Sequence, residues 1–168
     1  MKLISLILSA GLSASLVTAC ASVPTGSHAK AIDHPEAKLF DTDPSLVAQL
    51  AVDDALANAA TTGKHAMIVM GANWCHDSRA LAGWFETPRF ETMLQENYSV
   101  AYVDVGKKDR NIDVAQRFGL ENIVGTPTVV VTNAEGEVLN LDTAVTWRHS
   151  ASLTEDFIFE AFETLAQK

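Results

Sequence analysis

A chain of 168 residues, 48% hydrophobic and 20% charged, is long enough for one domain with tails, too apolar for disorder, and without the internal period of a solenoid or fibre. Twelve basic residues against 21 acidic ones give a net charge of -9, and no Lys/Arg cluster or aromatic stripe interrupts that balance, which disfavours binding to a phosphate backbone, so no nucleic-acid partner is expected. Cys20 and Cys75 are too few for a disulfide framework, so packing must hold the fold.

Residues 1–19 carry one basic residue, Lys2, then an uncharged apolar run that closes in small residues before Cys20. That order is the layout of a signal peptide. Ser and Gly dilute the run too far for a membrane-spanning helix, and no basic stop-transfer flank follows. Val17-Thr18-Ala19-Cys20 resembles the lipobox of bacterial lipoproteins. The resemblance implies cleavage before Cys20, acylation of its thiol and new amine, and a lipid-anchored chain in the cell envelope facing the periplasm. Ala21 is not the aspartate that such lipoproteins often use for inner-membrane retention, which favours the outer membrane. The alternative is an ordinary secretory peptide with Cys20 discarded or left free; either way the chain is exported. An acidic chain has no electrostatic hold on anionic lipid, so membrane attachment rests on the lipid anchor. Residues 20–43, rich in Ala, Ser, Pro, Thr, His and Asp, read as a flexible tether, and the folded domain is expected over 44–168.

Asp43-Pro44 offers an N-cap and a first-turn proline, after which Leu46, Val47, Leu50, Val52, Leu56 and Ala59 predict one or two amphipathic helices ending at Gly63. Residues 66–70 form a continuous apolar run of strand length, as in a strand buried on both faces. The run delivers the chain to Trp74-Cys75. From His76, Leu81, Trp84 and Phe85 recur at helical spacing until Thr87-Pro88 kinks or restarts the helix, which continues through Phe90, Met93 and Leu94. Residues 99–105 predict a second buried strand, and 112–118 a short helix stopped by Gly119. Residues 128–131 and 137–141 flank a turn and predict a hairpin. Ser152 and Glu155 make a capping-box pair before a closing helix with Phe157, Ile158, Ala161, Phe162 and Leu165 on its apolar face. The order αβαβαββα predicts an α/β fold with a mixed central sheet of at least four strands and helices on both faces.

Where a buried strand turns into a helix, Cys75 sits beside unpaired backbone N–H groups and the positive end of the helix dipole, and both favour the thiolate. His76 next to it adds positive charge when protonated, the Ser78 hydroxyl one turn along offers the sulfur a hydrogen bond, and Trp74 shields one side. His76 and Asp77 directly follow Cys75 and do not all face one metal, so no metal and no cofactor is expected; they solvate the helix start. His28, His34 and His65 read as surface residues. Trp147-Arg148-His149 reads as a loop against the sheet edge, with lining of a substrate groove as the alternative.

A strand, Ala72-Asn73-Trp74-Cys75-His76-Asp77-Ser78, a kinked helix, and Val124-Gly125-Thr126-Pro127 before a hairpin together resemble the thioredoxin fold, and residues 54–75 are most similar to its periplasmic thioredoxin-like subgroup. The resemblance spans about residues 44–168 and implies a thioredoxin-like three-layer α/β/α sandwich. It also implies a cis peptide before Pro127, which would present the Thr126 backbone beside the nucleophile to pair with a substrate chain. Three departures accompany it. Ser78 stands where the family's Cys-x-x-Cys motif has its second, resolving cysteine. Val69 stands where the family tends to carry a buried carboxylate, and Tyr102 where a lysine often accompanies it. The absences agree, because a proton acceptor has no task without the second thiol.

The resemblance and the residues together imply an exported, membrane-tethered thiol–disulfide oxidoreductase with one nucleophilic cysteine. Its catalytic residues would be Cys75, Ser78 and His76, and its substrate-binding residues Trp74, Thr126 and Pro127. Its partners would be client proteins with disulfides or oxidised or S-thiolated cysteines, and an external thiol or redox-partner protein. The alternative is a redox-inactive module of the cell envelope that binds an extended peptide or protein by strand addition.

Overall fold

The computed structural model describes residues 33–41, 43 and 48–168. Residues 1–19, expected to be a signal peptide, and Cys20, His28, Pro44 of the expected cap, Leu46 and Val47 lie outside them. The fold is organised around one strand, β1 (His65–Gly71), whose residues after His65 are all buried. It is the middle strand of a mixed sheet, parallel to β2 (Tyr98–Asp104) and antiparallel to β3 (Thr128–Thr132). Both of its edges are therefore paired, and its alternate side chains enter two buried clusters on opposite faces, which is why its sequence is an unbroken apolar run rather than an alternating one.

Side chains leave this sheet alternately to its two faces. Met67, Val69, Val129 and Val131 meet α2 (His76–Phe85), α3 (Pro88–Asn97) and α5 (Glu155–Leu165), in a cluster with Leu81, Phe85, Phe90 and Phe162. Ala66, Ile68, Met70, Val103 and Val130 meet α1 (Ala48–Thr62) and α4 (Ile112–Arg117), in a cluster with Val52, Ala59 and Val114. Helices thus cover both faces, giving three layers. The break between α2 and α3 falls at Thr87-Pro88: the Thr87 hydroxyl donates to Trp84 O at 2.8 Å, and Pro88, which has no N–H to offer, opens the next helix. Among the described residues no helix is long and apolar enough to cross a membrane.

The fourth strand expected at 137–141 is reduced to a single bridge between Thr132 and Val138, so the described sheet has three strands rather than at least four. The reason lies in Asn140, which is fully buried. Its Oδ1 accepts from Val131 N at 2.8 Å and its Nδ2 donates to Val129 O at 2.9 Å, while Ala144 O accepts from Val129 N at 2.9 Å. The Asn140 side-chain amide and the Ala144 carbonyl, with a single backbone bond from Leu139 N to Val131 O at 2.9 Å, satisfy the β3 edge that a full fourth strand would otherwise have covered.

Three other elements also differ from expectation. Segment 33–41 is docked rather than free: Phe40 is 2% exposed and meets Tyr102 edge-on at 5.8 Å, and Ala37 N donates to Arg79 O at 3.1 Å. The folded unit therefore includes these residues and does not begin at 44. The closing helix is capped by Thr154, whose hydroxyl accepts from Phe157 N at 3.3 Å, rather than by Ser152, and Phe157 is half-exposed. Residues 146–152 form a 3-10 turn, and buried Trp147 stacks on Phe162 at 4.2 Å rather than lying at the sheet edge.

Candidate functional site

The sheet register decides which loops meet. Because β3 runs antiparallel to β1 with Thr128 opposite Met70, the residues just before β3 lie beside those just after β1. Because β2 runs parallel with Asp104 opposite Gly71, the residues just after β2 arrive at the same end. Three loops, from chain positions far apart, converge on Cys75.

Cys75 is the N-cap of α2, in extended conformation, and its side chain is buried. Its thiol donates to Thr126 O at 3.2 Å. The Thr126–Pro127 peptide is cis, and both residues are buried. An N-cap side chain ordinarily accepts from the amides of the second or third helical residue, and here no side-chain cap bond is made. Those amides stand available to a thiolate once the proton on sulfur is gone. Trp74 is exposed and reaches the other way, its indole N–H donating to Gly106 O at 2.6 Å, so it stands beside the cysteine turn as an apolar platform tied to the β2 loop. Val124, two residues before Thr126, is also exposed.

Two expected contacts with the sulfur are not made. Ser78 is fully buried, but its Oγ accepts from Ala72 N at 3.4 Å and makes no hydrogen bond to Cys75. It fixes the turn between β1 and α2. His76 leans outward: its Nε2 lies 3.3 Å from Glu36 Oε1, and its ring lies 4.8 Å from that of His34. Asp77 does not simply solvate the helix start either, since its Oδ1 accepts from Ala151 N at 3.0 Å and ties α2 to the 3-10 turn.

Val69 and Tyr102, the two departures on the sheet, are direct cross-strand partners. Val69 is buried in the core, and burial pushes the Tyr102 hydroxyl well above its ordinary value, with Glu86 adding to the effect. Neither supplies a proton acceptor near Cys75. Gly71, next along β1, has no room for a side chain: a Cβ there would lie 2.4 Å from the Phe40 ring and 2.9 Å from Ser78 Oγ.

Arg148, Asn73 and the docked segment are parts of the site that sequence reasoning placed loosely or missed. Arg148 lies over Gly125, where a Cβ would come within 2.7 Å of its Cδ, so of the 147–149 trio it is Arg148 that reaches the Thr126 loop. Asn73 holds the strap from both sides, accepting from Phe40 N at 3.2 Å and donating to Phe40 O at 2.6 Å. Arg79 bonds Glu36 Oε2 at 2.9 Å and holds that carboxyl below its usual range. The donor atoms of His34, Glu36 and His76 all lie within 4.8 Å of one another. The expectation of no metal rested on the adjacency of His76 and Asp77, and the strap brings His76 different neighbours. His65, read as a surface residue, is half-buried, its Nε2 has no hydrogen-bond partner, and burial lowers its pKa.

Residues 47–134, just over half of the chain, match the family model described as thioredoxin-like. Among solved structures, the chain is similar to a disulphide isomerase from Xylella fastidiosa Temecula1, with 29% identity and a TM-score of 0.69, over 75% of this chain and 96% of that one. A thioredoxin from Thermus thermophilus is similar at 20% identity and a TM-score of 0.45, over 68% of this chain and 81% of that one. No curated protein matches at a significant level.

Proposed function

Since the chain belongs to the thioredoxin-like family, we propose that it is an exported, membrane-tethered thiol–disulfide oxidoreductase working through the single thiol of Cys75. The observation that carries this reading is the bond from Cys75 Sγ to the carbonyl of Thr126, made beside the cis Thr126–Pro127 peptide and at the N-terminus of α2. That geometry holds a thiol against the backbone just before β3, where a client chain could pair. The 29% identity to a disulphide isomerase adds support.

The chemistry balances without a cofactor. The Cys75 thiolate attacks one sulfur of a client disulfide; the client S–S bond breaks, one client thiolate leaves and takes up a proton, and Cys75 is joined to the client. An external thiolate then attacks Sγ and frees the second client thiol, and a second external thiol regenerates Cys75 while the external pair leaves as its own disulfide. The client is reduced by two electrons and the external thiols are oxidised by two. Ser78 cannot take the external thiol's part, because a hydroxyl neither attacks the mixed disulfide nor forms one. Cys75 is the free cysteine among the described residues. The membrane tether rests on residues 1–20 and their resemblance to a lipoprotein signal.

Exposed Trp74 and Val124 beside the buried Thr126 favour a second reading, a peptide-binding module in which the groove is used and the thiol is not. Non-reducing electrophoresis of cells distinguishes the two. Wild type should form thiol-reducible adducts in the membrane fraction, Cys75→Ala none, and Ser78→Cys fewer, because an internal thiol releases clients at high effective concentration. Cys20→Ala should move the adducts to the soluble fraction. Adducts that persist in Cys75→Ala, or none in wild type under oxidative challenge, would sink the monothiol reading.

A further inference from the structure

The docked strap and the start of α2 bring together three side chains that the thiol chemistry does not use. His34 and Glu36 lie two residues apart in the docked segment, and their donor atoms come together with one from His76. His76, the first residue of α2, meets them there. Glu36 Oε1 is 3.3 Å from His76 Nε2, the two imidazole rings are 4.8 Å apart, and all three donor atoms fall within 4.8 Å of one another.

We propose that His34, Glu36 and His76 form a binding site for a divalent transition-metal cation of the zinc class. Two imidazoles and one carboxylate are a donor set that suits zinc, copper or nickel better than magnesium or calcium, which prefer all-oxygen shells. Metal–ligand bonds of about 2.0–2.2 Å in a tetrahedral arrangement place donor atoms about 3.4 Å apart. The His76–Glu36 pair already has that separation, and the third donor needs a shift of little more than about an ångström in side chains at the surface.

The surroundings are arranged as metal ligands usually are. His34 Nδ1 lies 3.2 Å from Pro35 O, and because a carbonyl only accepts, that bond is made in the tautomer that protonates Nδ1 and leaves Nε2 with a lone pair for a metal. Arg79 engages Glu36 Oε2 at 2.9 Å and leaves Oε1 facing His76. With three protein ligands, the remaining position falls to water. A cation there would staple the strap that carries Phe40 to the helix that carries Cys75, through side chains other than the thiol.

The test uses the purified full-length chain. Zinc titrated against a chromophoric chelator should bind one equivalent, and His34→Ala, His76→Ala and Glu36→Gln should each weaken binding about tenfold or more, at least the loss that follows removal of an outer-shell partner. All three side chains reach the surface, and far-UV circular dichroism checks that the variants fold. Cobalt should give the visible bands of a low-coordinate site without a thiolate charge-transfer band, which separates this site from one built on Cys75 or Cys20. Zinc should also raise the urea midpoint of wild type more than that of His34→Ala at the same zinc concentration. Binding that survives in the His34→Ala/His76→Ala double variant, a thiolate band with cobalt, or no zinc uptake by wild type would each overturn the proposal.

Discussion

A thiol at a helix N-cap faces two hydrogen-bonding regimes, and Cys75 shows the first of them. As a thiol it donates to Thr126 O; as a thiolate it can only accept, and the donors within the same turn are the free amides at the start of α2. Losing the proton would therefore exchange a partner on the β3 loop for partners on its own helix and leave the Thr126 carbonyl without the thiol donor. The position of Cys75 was legible in the sequence, because a buried strand followed at once by a helical pattern fixes where the junction falls. The orientation of its neighbours was not: Ser78 turns to Ala72 N and His76 to Glu36, and adjacency in sequence does not say which way a side chain points. His65 illustrates the same limit. It opens β1 where the strand is half-buried, its ring lies 5.8 Å from that of Tyr98, and burial lowers its pKa below 6.5, with Glu135 opposing. The unfolded chain thus takes up a proton at a pH where the folded chain does not. His65 favours folding fully above its ordinary value, and that contribution is lost as pH falls through the window from there to its depressed value. The urea midpoint of wild type should accordingly fall more between about pH 7.5 and about pH 5.5 than that of His65→Phe. Equal falls in both would show that His65 plays no part in the acid sensitivity of the fold.

At the scale of elements, the strands and helices that face one another with regular periodicity were readable, and those held by isolated anchors were not. Segment 33–41 has no repeating apolar pattern; it docks through Phe40 and Ala37 and through backbone bonds to Asn73 and Arg79. It crosses α2 at Gly83, where a Cβ would lie 2.4 Å from the Pro35 backbone, so only glycine permits that approach. The same holds for Asn140, whose amide closes the β3 edge in place of a strand and which carries no signal apart from being a polar residue in an apolar stretch. Removing the principal anchor measures what the strap contributes. Phe40→Ala should cost about 3–5 kcal/mol in urea unfolding, the usual range for a fully buried phenylalanine. A loss under about 1 kcal/mol would place it among surface substitutions and show that the strap adds little to the fold.

For the whole molecule, the three-layer arrangement was readable because β1 is apolar on both faces and the helices alternate with the strands. The count of strands and the beginning of the folded unit were not, since each turns on a few side-chain contacts. The architecture gathers three loops at one end of the sheet: Cys75 from after β1, Gly106 from after β2, and Thr126-Pro127 from before β3. A change anywhere in the β1 register would separate them. One-thiol exchange at this convergence is tested most directly by intact-mass spectrometry of the purified chain after exposure to a disulfide-linked peptide at neutral pH. Peptide mapping then separates Cys75 from Cys20. A working Cys75 should yield one peptide joined to it, one peptide thiol released per adduct, and an adduct that persists until external thiol is added. No modification of Cys75 in the folded protein, with labelling only after denaturation, would contradict that mechanism.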